Sequence, residues 1–235
     1  MRTIKLYDDG IGQIEYVDHM GSDLTVVNSA RVSFGKQVKE ISEKDKKLIK
    51  YLIENQHSST LEHCTVTFRF KVPLFVRSQH HRHRTWSYNE ISRRYTDANL
   101  EFYEPVSFRK QSESNRQASV SQYINPLIPL DTGVTNIHYI ASKRVKSFHR
   151  EALRLYNMLI KHEVCREQAR GVLPQNLYTE YYGTVNLNNL FKFVDLRSHN
   201  GAQWEIQQVA KACLGIAQEL FPITVAAYFE NKDTL

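Results

Sequence analysis

From Cys64 to Val72 the chain alternates without a slip. Cys64, Val66, Phe68, Phe70 and Val72 are apolar, and Thr65, Thr67, Arg69 and Lys71 between them are polar. A period of two over nine residues predicts a β-strand with one buried and one wet face. Pro73 ends that strand and can stand in the first turn of a helix, where its missing N–H has no intrahelical role. Residues 177–185, rich in aromatic residues and threonine, read as a second strand. The short alternations of residues 3–17, broken at Asp8-Asp9-Gly10, read as a small hairpin.

Other segments repeat at steps of three and four. Ser22 or Asp23 can cap a short helix running towards Val32, and Ser42 with Asp45 has the spacing of a capping box before Leu48, Ile49, Leu52 and Ile53. From Asn136 onward, Ile137, Ile140, Ala141, Val145, Phe148, Ala152, Leu155 and Leu159 predict a long amphipathic helix. A shorter helix covers residues 165–171, stopped by Gly171 and Pro174. Residues 187–196 read as helix, and Ile206, Val209, Cys213, Ile216 and Leu220 predict another that closes at Pro222. Residues 107–129 are polar and punctuated by proline, so they read as a long loop or insertion. No repeat or linker divides the chain. The expectation is a single α+β domain over residues 1–235, with a central antiparallel sheet flanked by long helices.

Composition narrows the class. A chain of 235 residues can bury a substantial core, and 41% hydrophobic with 24% charged residues excludes a disordered polymer. The net charge of +6 admits nucleic acid, nucleotide or phosphate partners without choosing among them. Cys64, Cys165 and Cys213 are far apart and form no C-x-x-C pair, which argues against a disulfide framework and suits a reducing cytosol. The N-terminus MRTIKLYDDG lacks an apolar signal core, and no apolar run approaches membrane-spanning length. A cytoplasmic protein without a membrane partner is expected.

The chemistry concentrates between Arg82 and Tyr95. Arg82-His83-Arg84-Thr85-Trp86-Ser87-Tyr88-Asn89-Glu90-Ile91-Ser92-Arg93-Arg94-Tyr95 holds four arginines around one carboxylate, with Arg77, Gln79, His80 and His81 just upstream. A solvated face would alternate acids with bases and would not interleave tryptophan, tyrosine and asparagine among its charges. A metal is disfavoured, because fixed guanidinium charges flank the histidines and Glu90 is the only acid nearby. Nucleic acid is compatible with an arginine–aromatic mixture, but single-strand readers spread their charge along a groove. A compact cationic cluster better suits a small anionic ligand such as a nucleotide or dinucleotide, since guanidinium forks match oxyanions bidentately. None of the cysteines has an activating setting: Cys64 and Cys213 fall on apolar faces, and Cys165 lies outside the cluster.

Arg82-His83-Arg84, then seven residues, then Ser92-x-Arg94 resembles the signature of the flavin-dependent thymidylate synthases. A lone Arg-His-Arg would carry nothing, but the likeness continues. It includes Ala30-Arg31-Val32-Ser33, His57 to Glu62-His63, Arg166-Glu167-Gln168-Ala169-Arg170, Leu173-Pro174, and Asp195-Leu196-Arg197 to Gln203-Trp204-Glu205-Ile206. The resemblance implies reductive methylation of dUMP to dTMP. Methylenetetrahydrofolate would supply the carbon, NADPH the electrons and bound FAD the redox relay, in a homotetramer whose active sites draw on several subunits; no nucleic acid is implied.

By the same resemblance, Arg197 is the catalytic residue that polarises the uracil ring, a charge-stabilising role suited to a guanidinium. Gln79, Arg82, Glu90, Ser92, Arg94, Arg170 and Arg197 match positions that hold dUMP, with His80 and His81 at variable positions beside Gln79. The backbone amides of Ile91, Ser92 and Arg93 would add phosphate donors if they open a turn. Ser59, Arg82, His83, Arg84, Glu90, Asn186 and Lys192 match flavin contacts. Asn188 joins them, although it stands where some members have arginine; Lys192 stands where others have asparagine or histidine. Arg93 occupies a position that is often small, and Ser198-His199-Asn200-Gly201 departs from commoner variants. Tyr95 either orders the dUMP pocket or is a buried tyrosine, and His57 either lies near the flavin or caps a loop. Ser92, with no base ordered beside it, reads as a hydrogen-bonding residue and not as a nucleophile.

Overall fold

The alternation of residues 64–72 is realised almost residue for residue. In the computed structural model, which describes residues 2–129 and 138–233, Thr65–Pro73 forms a strand that buries Val66, Phe68, Phe70 and Val72. Before it lie strands β1 (Thr3–Lys5) and β2 (Gln13–Met20), helices α1 (Asp23–Arg31) and α2 (Glu43–Glu54), and a 3-10 turn over Ser58–Leu61. The strand itself is β3, and α3 (Leu74–His80) follows directly, with Pro73 as its cap. Next come β4 (Ser87–Glu90), β5 (Phe108–Gln111), β6 (Ser119–Ile124), β7 (Leu127–Pro129) and β8 (His138–Ile140). The remainder is α4 (Ala141–Lys161), α5 (Arg166–Ala169), a 3-10 turn over Arg170–Val172, β9 (Tyr178–Asn186), α6 (Leu187–Ser198), α7 (Trp204–Leu220) and α8 (Pro222–Asp233).

The main sheet is antiparallel in the order β1-β2-β3-β9-β4. Its central pair runs unbroken from Thr65 opposite Asn186 to Pro73 opposite Tyr178. Phe70 stacks on Tyr181 across that pair, with ring centroids 4.8 Å apart. Gly183 makes room beside them: a Cβ there would come within 2.8 Å of the Phe70 ring and 3.3 Å of Trp86. One sheet face is covered by α3, α6 and α7, with α2 and α8 packed beyond them into the same core. The other face is polar, with Thr67 bonded to Thr184 and Arg69 paired with Glu180.

The hairpin of residues 3–17, the two long strands and most helices match expectation. Ser22 is the cap of α1, and Ser42 and Asp45 form the capping box of α2. Three readings are corrected. Residues 107–129 are not a plain loop. They contain β5, β6 and β7, of which β5 is half-buried and the other two largely exposed, so none carries a buried-and-wet alternation of the kind seen in β3. The long helix starts at Ala141, because Ile140 pairs with Leu127 in the β7–β8 ribbon; Asn136 and Ile137 lie outside the described residues. It also buries Ala141, His149, Ala152 and Tyr156, while Phe148 and Leu155 of the expected stripe are exposed. Finally, Pro222 closes one helix and opens another, α8, as proline can at a first helical position. No helix among the described residues is long and apolar enough to cross a membrane.

The start of α8 is held from the opposite end of the sequence. The buried Asp23 carboxylate accepts from the Ile223 amide (3.0 Å), the Thr224 amide (2.9 Å) and the Thr224 hydroxyl (2.6 Å). It acts as an N-cap supplied in trans, satisfying amides that the helix leaves without acceptors. Asp23→Ala is expected to cost about 1–3 kcal/mol of stability. Urea unfolding should register this as a lower midpoint at unchanged slope.

Candidate active site

Two helices return over the same sheet face and end beside one another. α3 leaves the Pro73 end of β3, and α6 leaves the Asn186 end of β9, capped by the Asn186 side chain accepting from the Asn189 amide at 2.9 Å. Where they meet, Arg197 in the last turn of α6 donates through Nε to His83 Nε2 at 3.0 Å and through Nη2 to the Gln79 carbonyl at 3.3 Å. Two residues 118 positions apart are thereby joined. The second bond satisfies a C-terminal carbonyl of α3, a position where the helix dipole also favours a cation.

His83 is held neutral. Burial, with Arg197 and Arg82 adding their repulsion, pushes its imidazole down to about 4. With Nε2 accepting from Arg197, the ring proton sits on Nδ1. Burial and the Arg82 charge also lower the Arg197 guanidinium. Arg82 and Arg84 are exposed, and among the described residues neither meets a carboxylate. The cluster is an uncompensated cationic surface with one guanidinium locked in orientation.

A floor of aromatic rings supports it. His80 is fully buried, accepting or donating at Nδ1 with the Tyr181 hydroxyl (2.8 Å) and packed against Trp86, Phe70 and Phe193. Burial, followed by the neighbouring His83, His81 and Arg197, drives its pKa well down. The His80 side chain is therefore part of the core of this chain, whereas the sequence reading places it beside Gln79 among the dUMP-binding positions. His81 packs against Tyr88 at a 31° tilt with centroids 4.1 Å apart, and the Tyr88 hydroxyl donates to the carbonyls of His80 and His83.

A second group of expected residues lies apart from Arg197. A cleft of about 550 Å³ is lined by Arg77, Glu90, Ile91, Ser92, Arg93 and Arg170, among others. Glu90 accepts from the Thr179 hydroxyl at 2.6 Å and lies 3.2 Å from Arg77 Nε. Ser92 opens a turn: its carbonyl accepts from the Tyr95 and Thr96 amides, and its Oγ from the Arg94 amide at 3.3 Å. The Ser92 and Arg93 amides have no acceptor within that turn, an arrangement suited to an anion. The Ile91 amide is not available for that purpose, being bonded to the Glu180 carbonyl. The Arg93 guanidinium is likewise committed, to the carbonyls of Ala98, Asn99 and Tyr178, and burial lowers its pKa. Arg94 and Arg170 remain exposed, Arg94 beside Glu167 at 3.3 Å. Tyr95 is 81% exposed, which removes the buried-tyrosine reading.

The remaining flavin candidates sit at another end of the fold. Asn188 and Lys192 line a cavity of about 580 Å³ with Ser58, next to Ser59. Asn188 is buried and donates to Glu62 at 2.9 Å. His57 is exposed, and its carbonyl accepts from the Thr60 hydroxyl at 3.0 Å, so its backbone does cap the 3-10 turn. One chain thus carries separate portions of the expected site. Thr179 and Arg77, which hold Glu90, escape the sequence reading as site residues; a buried threonine on the inward face of an aromatic strand is the available signal.

Comparison with known proteins agrees with this architecture. The family model described as thymidylate synthase complementing protein matches residues 15–223. A flavin-dependent thymidylate synthase of Thermus thermophilus is 42% identical over 229 residues, covering 97% of this chain and 79% of that protein. That of Thermosipho africanus is 38% identical over 226 residues, covering 96% and 93%. The crystal structure of a UMP/dUMP methylase, PolB from Streptomyces cacaoi, bound with 5-Br dUMP, superposes with a TM-score of 0.76 at 29% identity over 92% of this chain and 94% of that one. Matches of this extent, on a chain whose sheet brings Arg197 to His83, mean that it belongs to the thymidylate synthase complementing protein family, the flavin-dependent thymidylate synthases.

Proposed function

We propose that this protein is a methyltransferase that converts dUMP to dTMP with a flavin cofactor. The observation that carries the reading is Arg197, fixed between a neutral imidazole and a helix-end carbonyl within an uncompensated cationic cluster. A guanidinium oriented in this way can stabilise negative charge as it develops on a uracil ring, without first reorganising. Its neutral partner His83 leaves that charge undiminished, where a carboxylate would have cancelled it.

Carbon 5 of uracil is a weak nucleophile, and the buried thiols do not supply the usual remedy. Burial pushes Cys64 up to about 11 and raises Cys213 well above its ordinary value, so both remain protonated near neutrality. Exposed Arg82 and Arg84, and the cavity beside Asn188 and Lys192, fit an anionic dinucleotide such as FAD. A flavin bound there would supply the redox chemistry of hydride transfer. Methylenetetrahydrofolate is the carbon donor and NADPH the reductant in this reading. Arg94, Arg170 and the open Ser92–Arg93 amides hold the dUMP phosphate, with Glu90 fixed beside them by Thr179 and Arg77.

A homotetramer follows as part of the proposal. The dUMP candidates are divided between the Glu90–Arg93 cleft and the Arg197 cluster, and the Phe148, Leu155 and Met158 side chains of α4 stand exposed. Assembly would complete the former and cover the latter. Three free cysteines suit the cytoplasm, the proposed location.

The purified protein should be yellow and should release tritium from dUMP labelled at carbon 5 when methylenetetrahydrofolate and NADPH are supplied. Arg197→Lys should lower that release by about a hundredfold or more while the flavin spectrum persists; loss of flavin instead would reassign the residue. His83 gives a pH prediction. Its folded pKa lies below the unfolded value of about 6.5, so the unfolded chain takes up the proton first. Stability is fully present above about pH 6.5 and falls as pH drops towards 4. Nuclear magnetic resonance should place the His83 midpoint near 4, and His83→Gln should flatten the stability slope across that window.

A further inference from the structure

Glu205 is 4% exposed in the first turn of α7, and the site described above has not used it. Its carboxylate gathers three side chains. Arg109 Nη2 lies 2.8 and 3.0 Å from its two oxygens, the Tyr103 hydroxyl donates at 3.3 Å and Gln203 Nε2 at 2.9 Å. Arg109 comes from β5, and its guanidinium also lies over the Trp204 ring at 4.9 Å. Gln203 then accepts at Oε1 from Gln79 Nε2. Gln79 is the residue whose carbonyl receives Arg197.

The polarity of this relay is set by chemistry. A carboxylate can only accept, so Gln203 must turn its NH2 end towards Glu205. That leaves the Gln203 carbonyl facing Gln79, which must in turn donate. Two amides, each able to flip if left alone, are oriented in series by one buried anion. Gln79 Oε1, which makes no hydrogen bond among the described residues, is thereby left as an acceptor.

We propose that Glu205 is a positioning residue: acting through Gln203, it fixes the Gln79 amide so that its oxygen, and not its NH2 group, meets a donor on the nucleotide. This rests on the reading that Gln79 contacts dUMP. Arg109 holds the anion in place and ties the β5–β6 hairpin to the same relay.

The test uses the flavin-loaded protein, with dUMP binding followed by calorimetry beside tritium release. Gln203→Met removes the relay but leaves the Glu205–Arg109 pair intact, which avoids an unpaired buried charge. It is expected to weaken dUMP binding and raise KM by about tenfold, with a smaller change in kcat and an unchanged flavin spectrum. Gln79→Met should give the same loss, and the double variant should be no worse than either single one, because both act through one amide. Unchanged dUMP affinity in Gln203→Met, or losses that multiply in the double variant, would overturn the relay while leaving the proposed function standing. A wild-type protein that neither binds dUMP nor releases tritium would overturn both.

Discussion

The nine-residue pairing of β3 with β9 is the constraint from which the site follows. Nine residues of strand span about 30 Å. α3 and α6 leave opposite ends of that pair and fold back over the same face, the first for seven residues and the second for twelve. At 1.5 Å per residue they cover about 10 and 18 Å, so their C-termini meet part-way along the sheet. The strand register and the two helix lengths together bring His83 to Arg197. A slip of one residue in the pairing would turn the buried set, Val66 to Val72, outward and lose the platform altogether.

Two helix C-termini converging would concentrate negative dipole ends, and arginine is the residue that such a place favours. Arg197 and Arg82 are placed accordingly, yet the cluster does not neutralise itself. Aromatic packing explains how. His80, Trp86, Tyr181 and Phe193 form a dry floor that takes His80 and His83 out of the protonation range of neutral pH. The imidazoles therefore serve as hydrogen-bonding groups and add no charge, leaving the positive charge of the cluster to the guanidiniums.

Elements with one wet and one buried face are legible in the chain. β3, β9, α2, α6 and α7 can be read within a few residues because burial stamps its period on the sequence. In the β5–β6 hairpin β6 is exposed throughout and β5 is half-buried without alternation, so no such period arises, and β4 is a four-residue edge strand within the cationic segment. α4 is legible as a helix, but its apolar residues occupy more than one face, and only the Ala152–Tyr156 side is covered within one chain. α8 stays hidden because the proline that stops one helix gives no sign that it starts the next.

The sequence by itself determined the residue types of the site and their family signature, since guanidinium, imidazole and amide chemistry can be read from composition and spacing. It also determined the platform, through the alternation of residues 64–72. Tertiary structure alone decided which of those side chains and amides remain free and which are buried or already bonded. His80 lies in the core, the Arg93 guanidinium is spent on carbonyls and the Ile91 amide on Glu180, none of which a linear pattern encodes. The orientation of Gln79, held from Glu205 more than a hundred residues away, was likewise beyond the sequence. Hydrogen bonds of that kind depend on which atoms are close in space, and proximity across the chain is set by the sheet.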